Sequence, residues 1–174
     1  MAVSSHDLER IMRALALELK SSLAVEKNPP VGCVIEKDGK VVGEGWHTAF
    51  GGPHAEVEAL AKAGEKARGA TAYVSLEPCS RVLKTGACTA ALVQAGVARV
   101  VYAAADPNMG PEGVTALREA GIQVEGQVLE QEGQILLERF QRALGLKRPW
   151  VALKWAMSLD GRIAPARGRG GRIS

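Results

Sequence analysis

Ala70–Ala104 reads ATAYVSLEPCSRVLKTGACTAALVQAGVARVVYAA, and the order of its parts decides the fold. A strand is expected over Ala70–Leu76, a loop over Glu77–Gly86, a helix over Ala87–Ala95 and a second strand over Arg99–Ala104. Two strands joined through a helix of this length need a right-handed crossover, which makes them parallel neighbours covered by helices. The alternation continues downstream with helix Pro111–Ala120, strand Ile122–Gln127 and helix Leu129–Leu144. Upstream, a helix over His54–Ala67 follows the loop Gly51-Gly52-Pro53. Before it, Val31–Lys37 and Lys40–Trp46 are strands joined by Asp38-Gly39, a strong two-residue hairpin signal. The chain opens on a helix that Ser4 or Ser5 can cap, with Leu8, Ile11, Met12, Leu15, Leu19 and Leu23 at helical spacing and Asn28-Pro29-Pro30 as its stop. The expected fold is therefore α/β: a three-layer α/β/α sandwich around a mixed, mostly parallel five-stranded sheet.

Arg148-Pro149 follows the last helix and begins a different segment. A strand is expected from Trp150 to Met157, then a tail rich in Gly and Arg over Arg167–Ser174. The chain thus divides into a domain over 1–146 and an extension over 147–174 too short to bury a core of its own. That extension must pack on the main body or a partner, or remain loose.

Charge follows the same division. Residues 147–174 hold seven basic side chains against Asp160, a net +6, so that 1–146 carry −3 of the chain's overall +3. An acidic body with only seven aromatic residues in the whole chain lacks the basic, stacking face that nucleic acid requires. A small-molecule substrate is expected instead. No apolar run has the length of a signal peptide or a membrane span, so the expected location is cytoplasmic and no membrane partner is expected. Three cysteines, an odd number, argue against a disulfide framework. Cys33 lies within an apolar strand and reads as a small core side chain.

The chemistry sits in His54-Ala55-Glu56 at a helix start and in Pro78-Cys79 with Cys88 further on. One imidazole and two thiolates are good zinc ligands, and three protein ligands rather than four leave a coordination position for water, as in catalytic sites. Glu56, two residues after His54, leaves the same helical turn at a different angle and can serve as general acid and base without ligating the metal. His-x-Glu followed by Pro-Cys and a second Cys is the signature of zinc deaminases. One Zn2+ per chain is expected.

The sequence resembles the deaminase domain of the bifunctional riboflavin-biosynthesis deaminase/reductase, a RibD-like member of the cytidine-deaminase-like superfamily. The resemblance runs through Asn28-Pro29-Pro30-Val31-Gly32-Cys33, Gly45-Trp46-His47, Gly51 to Leu60, Leu76-Glu77-Pro78-Cys79-Ser80, Thr85 to Leu92, Ala95-Gly96-Val97 and Asp106-Pro107-Asn108. Eight residues separate Cys79 from Cys88, as in that family, where related deaminases usually have two. The resemblance implies hydrolysis of the 2-amino group of 2,5-diamino-6-(5-phosphoribosylamino)pyrimidin-4(3H)-one to 5-amino-6-(5-phosphoribosylamino)uracil, with release of ammonia. It also implies that Asn28, His47, Lys84, Asp106 and Asn108 line the pyrimidine and ribosyl-phosphate pocket. Arg81 stands where the family usually has a His, and an Arg can grip a phosphate through paired hydrogen bonds. Arg148 to Lys154 and Met157 to Ala164 look like the opening of the family's reductase domain, so a separate reductase is expected for the following step. A homo-oligomer is expected. Two alternatives stay open: a deaminase of the same superfamily acting on another amino-heterocycle, whether nucleoside, nucleobase or pterin, and a non-catalytic zinc-stabilised binding protein.

Overall fold

The computed structural model describes residues 3–21, 28–80, 87–107, 109–146, 153–159 and 161–162. Five strands, β1 (Gly32–Lys37), β2 (Lys40–Trp46), β3 (Thr71–Leu76), β4 (Arg99–Ala104) and β5 (Gln123–Glu125), form one sheet in the order β2-β1-β3-β4-β5. β1 runs antiparallel to both of its neighbours, while β3, β4 and β5 pair in parallel, so four of the five strands share one direction. The β1–β2 turn has positive φ at Asp38 (51°) and Gly39 (74°), as Asp-Gly hairpins require.

Alternation along the strands, broken by a bulge at Ile35/Glu36 in the β1–β2 pairing, builds two cores. Cys33, Ile35, Ala72, Val74, Val100 and Tyr102 face one way, against Ala55, Ala59 and Ala63 of α2 (Ala55–Ala63), Leu92 of α3 (Cys88–Ala95) and Leu117 of α4 (Glu112–Glu119). Val34, Tyr73, Val101 and Ala103 face the other way, against Ile11, Ala14, Leu15 and Leu17 of α1 (Ser5–Glu18). Helix α5 (Glu130–Leu146) packs beside the end of β4, where Leu137 meets Leu76 and Ala104. Helices on both faces of a mixed sheet make the expected three layers.

Helix α1 departs from its expected extent and face. Ser4 caps it through a capping box with Asp7: the Ser4 hydroxyl accepts the Asp7 N–H at 3.1 Å, and the Asp7 carboxylate accepts the Ser4 N–H at 2.9 Å. The helix ends at Glu18, well before Asn28, and of the apolar series only Ile11 and Leu15 are buried; Leu8, Met12 and Leu19 are exposed, and Leu23 lies outside the described residues. Asp7 selects the buried face. It is buried with Arg99 (2.6 Å) and the Tyr73 hydroxyl (3.0 Å) as partners, which tie α1 to β4 and β3. Burial opposes the Asp7 charge, but the hydrogen bonds from Arg99, Ser4 and Tyr73 together outweigh it and hold the carboxyl well below the usual carboxylate range.

Two further expectations are corrected. The helix over His54–Ala67 is α2 followed by a 3-10 turn over Gly64–Ala67. Within the strand expected from Trp150 to Met157, residues 150–152 lie outside the described set and residues 153–157 have no regular structure. Leu153, Trp155 and Met157 are exposed, and this segment is not among the five strands of the described sheet. Among the described residues, no helix is long and apolar enough to cross a membrane.

Helix α2 carries the site and is seated by close backbone contact. A Cβ at Gly43 would lie 2.2 Å from the Ala59 carbonyl oxygen, and one at Gly45 would lie 2.2 Å from that of Ala55. Glycines in an otherwise ordinary strand thus let the helix backbone rest on β2, with the alanines of α2 completing the fit.

Candidate metal centre and substrate site

His54 stands at the N-cap of α2 with extended backbone (φ −74°, ψ 161°) and makes no capping hydrogen bond. Its ring points instead to two cysteines. Nδ1 lies 3.1 Å from Cys88 Sγ and 3.6 Å from Cys79 Sγ, and the two sulfurs are 3.3 Å apart. That separation is far beyond a disulfide bond of about 2.05 Å, and both thiols are free. The triangle is small enough for one ion at ordinary zinc–nitrogen and zinc–sulfur distances, about 2.0–2.3 Å, to reach all three atoms.

Local backbone geometry assembles the cysteines. Cys79 follows Pro78 off the end of β3, and Cys88 is the first residue of α3. Cys79 is tied to the start of α3 where its carbonyl oxygen accepts the Thr89 N–H (3.2 Å) and its Sγ accepts the Cys88 N–H (3.4 Å). The Cys79 thiol is held well below its ordinary value, first by the Cys88 thiol hydrogen bond and also by His54, against the cost of burial. Cys88 is pushed upward by its neighbour Cys79 and by burial. A second thiolate beside the first needs a compensating positive charge, which a dication supplies. The donor set therefore fits zinc: soft sulfur ligands, one imidazole, and three protein ligands rather than four.

Glu56 is buried in the first turn of α2 and hydrogen-bonds the Cys88 side chain. Burial, reinforced by the charge of Cys79, pushes its carboxyl up to about 7. A carboxyl that gains and loses a proton near neutrality, beside the ligand triangle, is suited to moving protons there. Cys33 is fully buried within the sheet core, as expected, with its thiol pushed well upward by burial.

His47 is buried, with both ring nitrogens engaged by the protein. Nδ1 lies 2.9 Å from the Pro53 carbonyl oxygen, which can only accept, so Nδ1 carries the proton. Nε2 lies 3.0 Å from the Asn28 amide nitrogen and accepts from it. The His47 ring meets the His54 ring edge to face, with centroids 5.4 Å apart. Asn28, His47, His54, Glu56, Cys79 and Cys88 thus form one connected group.

Asp106 lies at the end of β4, on the same end of the sheet as Cys79, and its backbone N–H donates to the Glu77 carboxylate. Arg81, Lys84 and Asn108 lie outside the described residues. The sequence reading assigned no part to the Pro53 carbonyl or to Glu77, although Glu77 stands in the Leu76-Glu77-Pro78-Cys79 run that carried the resemblance. Only the three-dimensional neighbourhood reveals what Glu77 touches.

Comparison with known proteins adds four findings. A family model described as the cytidine and deoxycytidylate deaminase zinc-binding region matches residues 5–104, which include all three metal-ligand candidates and Glu56. A diaminohydroxyphosphoribosylamino-pyrimidine deaminase from Buchnera aphidicola subsp. Schizaphis graminum is 44% identical over 124 residues, 70% of this chain and 84% of that protein. The riboflavin biosynthesis protein RibD of Escherichia coli K12 is 49% identical over 158 residues, covering 90% of this chain but 43% of its own length. Among solved structures, the diaminohydroxyphosphoribosylaminopyrimidine deaminase/5-amino-6-(5-phosphoribosylamino)uracil reductase of Thermotoga maritima superposes with a TM-score of 0.77 at 43% identity, over 97% of this chain and 50% of that one. The chain therefore spans about half the length of most relatives it resembles.

Proposed function

We propose, because this chain belongs to the zinc-binding family of cytidine and deoxycytidylate deaminases in its RibD-like branch, that it hydrolyses the 2-amino group of 2,5-diamino-6-(5-phosphoribosylamino)pyrimidin-4(3H)-one. The products are 5-amino-6-(5-phosphoribosylamino)uracil and ammonia. The observation that carries this reading is the buried Glu56 carboxyl beside the triangle of His54 Nδ1, Cys79 Sγ and Cys88 Sγ.

A zinc ion held by those three atoms supplies Lewis acidity that brings deprotonation of a water molecule into the neutral range. Glu56 accepts a proton from the attacking water and delivers it to the adjacent ring nitrogen as the C–O bond forms. It then passes a second proton from the same oxygen to the amino group, so that the C–N bond breaks with ammonia leaving and a carbonyl remaining. Burial of Glu56 supports both transfers, since it keeps the carboxyl poised between its two protonation states.

Substrate orientation falls in this reading to Asn28 and Asp106, with His47 acting on Asn28, and to Arg81, Lys84 and Asn108 from their places in the sequence. Residues 1–146 form the deaminase domain. A cytoplasmic setting is in keeping with three cysteines, an odd number that argues against a disulfide framework. The test is ammonia release from a panel of phosphorylated and free aminopyrimidines, purines and pterins. The phosphoribosylaminopyrimidine should be turned over with the highest kcat/KM; preference for another heterocycle would reassign the substrate, and release from none of them by zinc-loaded protein would leave a binding protein.

A further inference from the structure

The end of β4 lacks the strand partner that its beginning has. β5 pairs with β4 only at Arg99, Val100 and Val101, so the backbone beyond them must find hydrogen bonds elsewhere. Tyr102 O accepts the Val128 N–H at 3.2 Å, and the following groups are taken by side chains of α5. Glu130 Oε2 accepts the Ala105 N–H at 3.1 Å, and Gln134 Nε2 donates to Ala105 O at 3.0 Å. Gln134 Nε2 also donates to Glu130 Oε1 at 2.8 Å, locking the two side chains together one helical turn apart. On the other side, Glu77 N–H donates to Ala104 O at 2.9 Å and the Glu77 carboxylate takes the Asp106 N–H.

Helix α5 comes this close because Gly133 lies between the two polar residues. A Cβ there would stand 2.6 Å from the Ala104 Cβ and 3.3 Å from the Ala104 nitrogen. A buried glycine in a helix interior costs about 1 kcal/mol relative to alanine, so its presence reflects the close approach it permits.

We propose that Glu130 and Gln134 are positioning residues that set the placement of Asp106 and thereby substrate affinity, which makes α5 part of the specificity apparatus. This helix lies wholly outside residues 5–104, the region matched by the deaminase family model. The inference rests on the reading of Asp106 as a substrate contact. Neither side chain touches the metal-ligand triangle, so their removal acts on binding and not on metal or proton transfer.

The test is steady-state deamination by the zinc-loaded full chain and by Gln134→Ala, Glu130→Ala and Glu130→Gln, with amide hydrogen exchange followed at Ala105 and Asp106. In Gln134→Ala and Glu130→Ala, KM should rise about 10-fold with kcat within about 2-fold, the pattern of lost uniform binding. Zinc content should stay at one per chain, and exchange at Ala105 should quicken. Glu130→Gln keeps an acceptor for the Ala105 N–H and should recover most of the parent KM. An active parent whose alanine variants keep the parent KM, or lose kcat at constant KM, would overturn the inference alone. If the alanine variants do not fold, the milder Glu130→Gln must still show faster Ala105 exchange than the parent, because its amide cannot also accept from Gln134 as the carboxylate does; unchanged exchange would overturn the inference. A zinc-loaded parent that releases no ammonia would overturn the functional reading and the inference with it.

Discussion

The Asn28 amide donates to His47 Nε2 at 3.0 Å, while His47 Nδ1 donates to the Pro53 carbonyl immediately before His54. The carbonyl fixes the tautomer, the tautomer makes Nε2 an acceptor, and the acceptor fixes which end of the Asn28 amide faces His47. His47→Asn keeps a donor near Nδ1 but places nothing at Nε2. KM should rise about 10-fold with bound zinc unchanged, as expected for loss of one buried hydrogen bond that orients a binding group. An unchanged KM would mean that Asn28 needs no such support.

The metal triangle makes a prediction about composition. Freshly purified protein should hold one zinc per chain by elemental analysis, and Cys79→Ser or Cys88→Ser should lose it. Chelation should also lower the melting temperature, since a ligand that binds only the folded state stabilises it by mass action. Parent protein free of zinc would remove the basis of the site.

Gly45 predicts a packing effect with a functional consequence. In Gly45→Ala the new Cβ meets the Ala55 carbonyl oxygen at 2.2 Å, so α2 must move away from β2. Overpacking of this kind costs about 1–3 kcal/mol. The displaced helix carries both His54 and Glu56, so zinc affinity should fall along with the melting temperature. A variant with normal zinc affinity and stability would show that α2 does not depend on this seat.

Much of this architecture was legible in the sequence, for physical reasons that differ by element. Strands β2 and β4 are found at their expected bounds, and β1 and β3 within a residue of theirs, because burial in the sheet demands apolar runs and the Asp38-Gly39 turn fixes where the hairpin reverses. The ligand triangle was legible because few residue types bind zinc and three of them stand at telling positions. The buried face of α1 was not: Leu8 and Met12 fit the helical period as well as Ile11 and Leu15, and a buried ion pair between Asp7 and Arg99 decides between them. Nor was the part played by α5. Glu130 and Gln134 look like an ordinary polar pair four residues apart, and their partner, Ala105, lies 25 and 29 residues away in the sequence.

Glu18 predicts how stability varies with pH. It is buried at the end of α1, where it accepts the Ser75 hydroxyl, whose oxygen in turn accepts the Gly32 N–H at 3.0 Å. Burial pushes its carboxyl from 4.5 up to about 7. The folded state then keeps a proton that the unfolded state releases, so this contribution is complete below about 4.5 and lost as pH rises towards about 7. The loss amounts to about 3 kcal/mol across that window. Glu18→Gln removes the titration, so urea denaturation of variant and parent between pH 5 and 8 should show the variant gaining relative stability as pH rises. A difference independent of pH would contradict the assignment.

The central claim is that Glu56 moves protons at a metal held by His54, Cys79 and Cys88. Glu56→Gln preserves shape and polarity but cannot exchange a proton. The most direct measurement is ammonia release from 2,5-diamino-6-(5-phosphoribosylamino)pyrimidin-4(3H)-one by parent and Glu56→Gln, each with its zinc content determined in the same preparation. The account predicts one zinc per chain in both proteins and a fall in kcat of about 10²–10⁴-fold in the variant. A zinc-loaded Glu56→Gln protein that turns over at nearly the parent rate would contradict it.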